Sequence, residues 1–305
     1  MSVEVRAPAL DDVESIAEVA NRETDELFGE REESAGSVRL WLTDPDLDPA
    51  TDSRIAIFDG RVAGYADIND RPEPKYWADL RVPLSESDAV RETLFDWLEQ
   101  RFEERAAGRV GAVLRFFAWS PDEPVKRLLE RSGYSLIRHS YRMRIDFSGD
   151  LPKPEWPEGV EVRTPTEADT KTVYETHQES FEDSWEHSRD PFEEWQHWLR
   201  GSDDFDRTLW FLAEEDGEPA GVALCKPHDA EEGLGWVSVL GVRRPWRRRG
   251  LGRALLLHAF HEFRDRGFGA VGLGVDASSL TGAVRLYENA GMRVVRRSDI
   301  YEKTL

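Results

Sequence analysis

The sequence repeats itself at a spacing of about half its length. Val3 to Pro8 (VEVRAP) returns as Val160 to Pro165 (VEVRTP), and Asp59, Gly60, Ala63 and Gly64 return as Asp216, Gly217, Ala220 and Gly221, both at an offset of 157 residues. Arg127 to Gly133 (RLLERSG) returns as Arg285 to Gly291 (RLYENAG) at an offset of 158. A nearly constant offset over that span requires duplication of a whole domain, since a solenoid repeats over far shorter periods. A chain of 305 residues has room for two such domains.

Both copies follow one pattern of elements. In the C-terminal copy a strand precedes two helices, about Glu167 to Ser180 and Asp190 to Leu199, and a hairpin follows with Asp216 and Gly217 at its turn. A third strand leads into a glycine loop and a long helix. A buried strand, Ala270 to Asp276, a helix, Thr281 to Gly291, and final strands near Val294 and Tyr301 complete the copy. That order predicts an α/β fold with a mixed sheet and helices on its faces. Ser148 to Gly159 (SGDLPKPEWPEG), with three prolines and two glycines, reads as the linker.

The glycine loop, Val242 to Ala254 (VRRPWRRRGLGRA), joins an apolar strand to an amphipathic helix. The first four N–H groups of a helix have no intrahelical partner and its dipole leaves partial positive charge there, so an anion fits. Gly250 and Gly252 carry no Cβ, which lets a phosphate approach the main chain, and Arg247, Arg248, Arg249 and Arg253 add formal charge. Charge-assisted hydrogen bonds of about 1.5–3 kcal/mol each outweigh a dipole contribution of about 0.3–1 kcal/mol, so bond geometry dominates. Two other phosphate loops fail on the same residues. A Walker loop needs Lys and then Ser or Thr where Arg253 and Ala254 stand, and a dinucleotide fingerprint needs glycine where Leu255 stands.

Arg247, Gly250 and Gly252, placed after the strand end Leu240, Gly241 and Val242, match an RxxGxG acyl-CoA loop. Leu286, Tyr287 and Glu288, followed by Gly291 and Met292, match the tyrosine-bearing helix that accompanies it. With this pair of motifs the chain resembles the GNAT acetyltransferase superfamily, and its size and two-domain arrangement resemble mycothiol synthases with a degenerate first half. The resemblance implies two tandem GNAT-like domains and acetyl-CoA as co-substrate. It implies cofactor contacts from Leu240, Gly241, Val242, Arg247, Arg248, Arg249, Gly250, Leu251, Gly252 and Arg253, with Tyr287 as general acid. Ser278 and Ser279 stand where an Asn is common, which leaves Ser279 as the candidate for that polar contact.

The N-terminal copy has lost these features. Aligning Val82 with Val242 sets Pro83 to Glu92 (PLSESDAVRE) against the loop, without a glycine and with Glu86 and Asp88 to repel a diphosphate; Leu129 replaces Tyr287. Residues 1–147 are therefore expected to form a degenerate domain that binds no acetyl-CoA, 148–159 the linker, and 160–305 the catalytic domain.

Composition bounds the partners. Sixty-one acidic against 40 basic residues give a net charge of −21, which opposes nucleic acid and anionic membranes despite six arginines between Arg243 and Arg253. Only six basic residues are Lys, a usage that fits a salt-adapted host or a GC-rich genome equally. The single Cys225 excludes an intramolecular disulfide and reads as a buried structural thiol rather than an acyl carrier. No apolar segment of 18 residues and no signal peptide is visible, so a cytoplasmic location without membrane association is expected.

The implied chemistry is direct attack of a neutral amine on the thioester, with no metal. A primary amine is only about 0.04% neutral at pH 7, so a base or a desolvating pocket must offset its protonation. Tyr287, with an ordinary pKa near 10, suits donation to the leaving thiolate, although Ala283, Leu286, Tyr287 and Ala290 also form a core-facing stripe. Glu232, His228 and Glu186 remain candidates for the base; Trp236 holds the strand position where some superfamily members carry Glu. His258 and His261 read as packing or surface residues. The acceptor region is expected at Ser180 to Phe192 (SFEDSWEHSRDPF), where Phe181, Trp185 and Phe192 mix with Glu182, Asp183 and Glu186. The acceptor implied is a small primary amine such as a cysteinyl pseudo-disaccharide. A protein amino group, or CoA binding without turnover, are the alternatives.

Overall fold

The computed structural model describes residues 3–31, 33–70, 74–201, 205–229, 233–279 and 282–305. The chain forms two compact units, Met1–His139 with Ser298–Leu305, and Ser140–Arg297.

In the first unit β1 (Glu4–Arg6) leads to α1 (Val13–Phe28), α2 (Ala35–Leu42) and the short α3 (Pro49–Asp52). The hairpin of β2 (Ser53–Phe58) and β3 (Arg61–Asp70) follows, then β4 (Lys75–Arg81), α4 (Asp88–Ala106), β5 (Val113–Trp119) and α5 (Glu123–Arg131). Val13, Ile16, Val38 and Leu42 of α1 and α2 pack with Ile55 and Tyr65 on one face of the sheet. On the other face Leu94, Phe95, Leu98 and Phe102 of α4 and Leu128 and Leu129 of α5 pack over Tyr76, Leu114 and Phe116.

The long β6 (Ser135–Asp146) leaves the first unit for the second, which continues with β7 (Val160–Arg163), α6 (Thr170–Phe181), α7 (Phe192–Arg200), β8 (Trp210–Glu215) and β9 (Glu218–Asp229). Then come β10 (Leu234–Val242), α8 (Leu251–Asp265), β11 (Ala270–Asp276), α9 (Ala283–Asn289) and β12 (Arg293–Thr304). Here α8 and α9 cover one face of the sheet, through Leu255, Leu256, Phe260, Phe263 and Tyr287, and α6 and α7 cover the other, through Val173, Tyr174 and Trp195.

The repeated Asp-Gly pairs adopt one conformation, Asp59 and Gly60 at φ 52° and 76°, Asp216 and Gly217 at 52° and 78°. Two successive left-handed residues make the tight hairpin turn expected of such pairs. The two strands anticipated near Val294 and Tyr301 are the single strand β12. Residues 148–159 hold no regular element, yet Leu151 and Trp156 pack on the core of the second unit, so this stretch is a strap on that unit rather than a free tether.

Each unit takes in a strand from the opposite half of the sequence. Ser298 to Thr304 of β12 pair antiparallel with Trp119 to Val113 of β5, and Tyr301 joins the core of the first unit. Ser140 to Asp146 of β6 pair antiparallel with Asp276 to Ala270 of β11, and Met143 and Ile145 join the core of the second. Arg115 binds Glu302 at 2.7 Å and Lys303 binds Glu99 at 2.6 Å, which fixes β12 in place. The sequence halves 1–147 and 160–305 therefore differ from the compact units by one strand each.

Candidate active site

β10 and β11 begin as parallel neighbours, with Leu234 opposite Ala270, Gly235 opposite Val271 and Trp236 opposite Gly272, and their pairing ends there. The other edge of β10 stays paired with β9 as far as Val242 opposite Gly221, with Ser238 as the extra residue of a bulge between Val237 and Val239. A bulge increases local twist and bends its strand, so it drives β10 away from β11. Among the described residues the edge of β10 beyond Trp236 is thus open, and its backbone groups suit an extended ligand that carries amides of its own.

The loop expected to hold a diphosphate lies at the end of this edge. Gly250, at φ 90°, is the N-cap of α8 and supplies no side-chain cap, so the first N–H groups of the helix are left for another acceptor. Arg248 is also left-handed, at φ 62°, which curls the chain into an anion-binding concavity. Leu251 is buried against the core. A Cβ on Gly252 would stand 3.3 Å from Leu286, so that glycine serves the close packing of α8 on α9 as well as any ligand.

The arginines divide into two sets by whether their side chains are bound within the protein. Arg247 turns inward, donating to the carbonyls of Val242 and Ser180 at 3.0 Å each and to Asp183 at 2.5 Å. Arg249 binds Glu215 at 2.9 Å beside the indole N–H of Trp246, which donates to the same carboxylate at 2.7 Å. Arg243 donates to Glu179 at 2.5 Å and to the Pro219 carbonyl at 2.7 Å, and Arg244 donates to Asp183 at 2.9 Å. Hydrogen bonds from Arg244 and Arg247 hold Asp183 well below the usual carboxylate range. Among the described residues Arg248 and Arg253 have no such partner. Asp183 is therefore a loop anchor rather than a lure for a cationic acceptor.

Tyr287 sits on α9, 8% exposed, in the core cluster that includes Leu255, Val271 and Leu273. Burial pushes its hydroxyl up to about 12. The hydroxyl has no hydrogen-bond partner among the described residues, yet it is not among the sealed, unpartnered polar atoms, so it meets an opening. The core-facing stripe and the accessible hydroxyl coexist. Ser279 lies in the turn before α9, its N–H bonded to the Asp276 carbonyl at 3.1 Å.

Of the base candidates, Glu232 lies outside the described residues. His228 approaches Arg142 with Nε2 2.6 Å from Nη2, and since a guanidinium can only donate, this nitrogen accepts from Arg142. Arg142, a residue of the first sequence half, also lies 4.6 Å from the centre of the Trp236 ring. Glu186 occupies a left-handed position at φ 51° in the α6–α7 connection. Cys225 is buried, which pushes its thiol up and fits a structural role. His258 packs on Phe211 at 4.6 Å and on Trp156 at 5.7 Å, while His261 bonds the Pro152 carbonyl at 3.0 Å.

One polar side chain in this region is absent from the sequence-based candidates. His177 lies on the α6 stripe Val173, His177, Phe181, whose i, i+4, i+8 spacing was available. Its Nδ1 accepts from the indole N–H of Trp195 at 2.7 Å, and the ring meets Phe181 edge-on at 5.0 Å. Burial lowers its pKa to about 4, so the imidazole is neutral.

The first unit offers a contrast. β4 and β5 also pair in parallel only from Lys75 opposite Val113 to Ala78 opposite Phe116. The start of α4, however, is capped by Ser87, whose hydroxyl accepts from the Ala89 N–H at 3.2 Å. Glu86 is buried beside it and paired with Arg22 at 2.7 Å and with Arg61. The protein's own groups occupy the place that an anion would take.

Residues 170–292 match the family model described as the acetyltransferase (GNAT) family. Mycothiol acetyltransferase from Streptomyces coelicolor is 30% identical over 321 residues, covering 96% of this chain and 95% of that protein. A GCN5-related N-acetyltransferase from Sphaerobacter thermophilus superposes with a TM-score of 0.81 at 31% identity, covering 99% of this chain and 95% of the other. A tandem GNAT protein from clavulanic acid biosynthesis shares the fold, with a TM-score of 0.71 at 15% identity over 99% of this chain and 98% of that one. The diverging strands, the uncapped glycine turn and the nearly full-length relatives lead to one assignment: the chain belongs to the GNAT family and is an acetyltransferase of its tandem-domain type.

Proposed function

We propose that the second unit transfers the acetyl group of acetyl-CoA to the primary amine of a small mycothiol-type acceptor in the cytoplasm, and that the first unit binds no acyl-CoA. The carrying observation is the open edge of β10 ending at the uncapped N-terminus of α8. There the N–H groups of Leu251, Gly252 and Arg253, with the side chains of Arg248 and Arg253, would hold the pyrophosphate. The free edge of Val237 to Val242 would pair with the amides of the pantetheine arm and polarise the thioester carbonyl. Leu240, Gly241 and Val242 keep the role given by the motif, and Arg247 and Arg249 act by shaping the loop. The neutral amine attacks the carbonyl carbon, the C–S bond breaks, and the new amide releases a proton to solvent or to an unassigned base. Tyr287 donates to the departing sulfur.

With Tyr287 near 12 and a thiol near 8.5, complete transfer from tyrosine is uphill by ~5 kcal/mol, so the tyrosine must be reprotonated as the amide loses its proton. Tyr287→Phe keeps the packing and removes the donor. Its kcat should fall about 100-fold while the acetyl-CoA dissociation constant stays within about twofold. An unchanged kcat would remove Tyr287 from the chemistry. The function itself is tested by CoA release from acetyl-CoA across a cysteinyl pseudo-disaccharide, simple amines and peptides, alongside calorimetry for one acetyl-CoA site per chain. Peptide preference would redirect the acceptor assignment, and binding without any turnover would end the enzymatic one.

A further inference from the structure

His177 is a polar member of an otherwise apolar stripe on the helix that packs against β9 and β10. Val173, one turn before it, is sealed against Val222, Leu224 and Val239, and Phe181, one turn after it, lies 3.4 Å from where a Cβ on Gly241 would be. His177 therefore faces β10 between the level of the bulge and the strand end, beside the open edge. The other polar side chains on this turn are occupied locally, Thr176 by the Thr172 carbonyl at 2.8 Å and Ser180 by the Thr176 carbonyl at 2.7 Å.

Trp195 settles which nitrogen of His177 carries the proton. An indole N–H can only donate, so Nδ1 must be the bare nitrogen, and a neutral ring then holds its hydrogen on Nε2. Among the described residues Nε2 has no protein partner, and it is not among the sealed, unpartnered atoms. A fixed, uncharged N–H thus reaches an opening beside the cleft. The groups in contact with the ring, Phe181 and the already committed indole of Trp195, offer nothing to accept a proton, and His187 is near enough to act on it electrostatically. Such a surrounding favours an oxygen that accepts and does not donate, namely a carbonyl, over a hydroxyl.

We infer that His177 is a specificity residue for the acceptor, donating from Nε2 to a carbonyl oxygen next to the reacting amine, and that Trp195 is the positioning residue that fixes its tautomer. This rests on the acetyl-transfer reading. It adds the residue that would read the carbonyl beside the amine of a cysteinyl acceptor and so disfavour plain alkylamines.

The test uses full-length protein with 15N-labelled histidine, CoA, and two probes, L-cysteinamide and cysteamine, which differ by one carboxamide. The His177 resonances should show a neutral ring protonated at Nε2 from pH 5.5 to 8, and the Nε2–H signal should shift with L-cysteinamide and not with cysteamine. In turnover, His177→Leu should lose about tenfold in kcat/KM for L-cysteinamide and little for cysteamine. His177→Gln, which retains an acceptor and a donor, should recover part of the loss. Trp195→Phe should leave kcat near wild type, raise the KM for L-cysteinamide, and let the ring sample both tautomers. Equal shifts with both probes, or an unchanged preference in a folded His177→Leu protein, would overturn the inference. A selective shift without wild-type turnover would instead count against acetyl transfer and leave the donor role standing.

Discussion

At the scale of single residues, the loop separates arginines bound by the protein's own carboxylates and carbonyls from those that the proposed function assigns to a phosphate. Arg247 ties the carbonyls of Val242 and Ser180 to Asp183, whereas Arg248 and Arg253 make no such bond among the described residues. Arg248→Ala and Arg253→Ala should each weaken acetyl-CoA binding about tenfold by calorimetry, the loss of one charge-assisted hydrogen bond, with no change in melting temperature. Arg247→Ala should lower the melting temperature as well, because it leaves Asp183 and two carbonyls short of a donor. The motif names these residues together and cannot sort them. Their carboxylate partners Asp183 and Glu215 lie 64 and 34 residues away in sequence, and only the fold brings them to the loop. Tyr287 stands in a motif that is contiguous in sequence, Leu286 to Met292, although its packing neighbours Leu255, Val271 and Leu273 come from other elements.

At the scale of elements, the cleft depends on how closely β9 and β10 approach. A Cβ on Gly221 would stand 2.7 Å from the carbonyl oxygen of Gly241, a backbone atom on a paired strand that cannot rotate aside. Gly221→Ala should therefore cost about 1–3 kcal/mol of stability and displace the end of β10, weakening acetyl-CoA binding in the same protein; melting and calorimetry on one preparation check both. Gly221 showed in the sequence only as a member of the repeat. The succession of elements along the chain, the Asp-Gly hairpins and the strand at Ala270 to Asp276 were readable from alternation and turn chemistry. The bulge at Ser238 was not, because an extra residue is defined only against its partner strand.

At the scale of the whole molecule, duplication was plain in the sequence and strand exchange was not. β6 and β12 occupy equivalent places in the repeat, and an alternating strand carries no mark of which sheet it will join. A fragment of residues 148–305 lacks Ser140 to Asp146 and leaves β11 unpaired on that edge, whereas 140–305 retains it. The longer fragment should fold and bind acetyl-CoA; the shorter should aggregate or melt early. Size-exclusion and calorimetry distinguish the two.

The first unit adds a pH response. Burial pushes Glu23 up to about 7 despite Arg81 at 3.1 Å, and burial and Asp79 raise Asp67 as well. Groups with raised values bind more protons folded than unfolded, so their contribution is complete below the ordinary carboxylate range and is lost as pH rises through about 7. The melting temperature should fall by about 5 °C between pH 5.5 and 8, and Glu23→Gln with Asp67→Asn should flatten that slope.

The crossing strands also set a timetable for synthesis. β5 ends at Trp119, but the strand that covers its outer edge, Ser298 to Thr304, begins 179 residues later. At roughly 5–20 residues per second a nascent chain spends on the order of ten seconds or more with that row of N–H and C=O groups uncovered. A ribosome that halts anywhere in the second half releases a polypeptide with a bare sheet margin, a template for joining its neighbours.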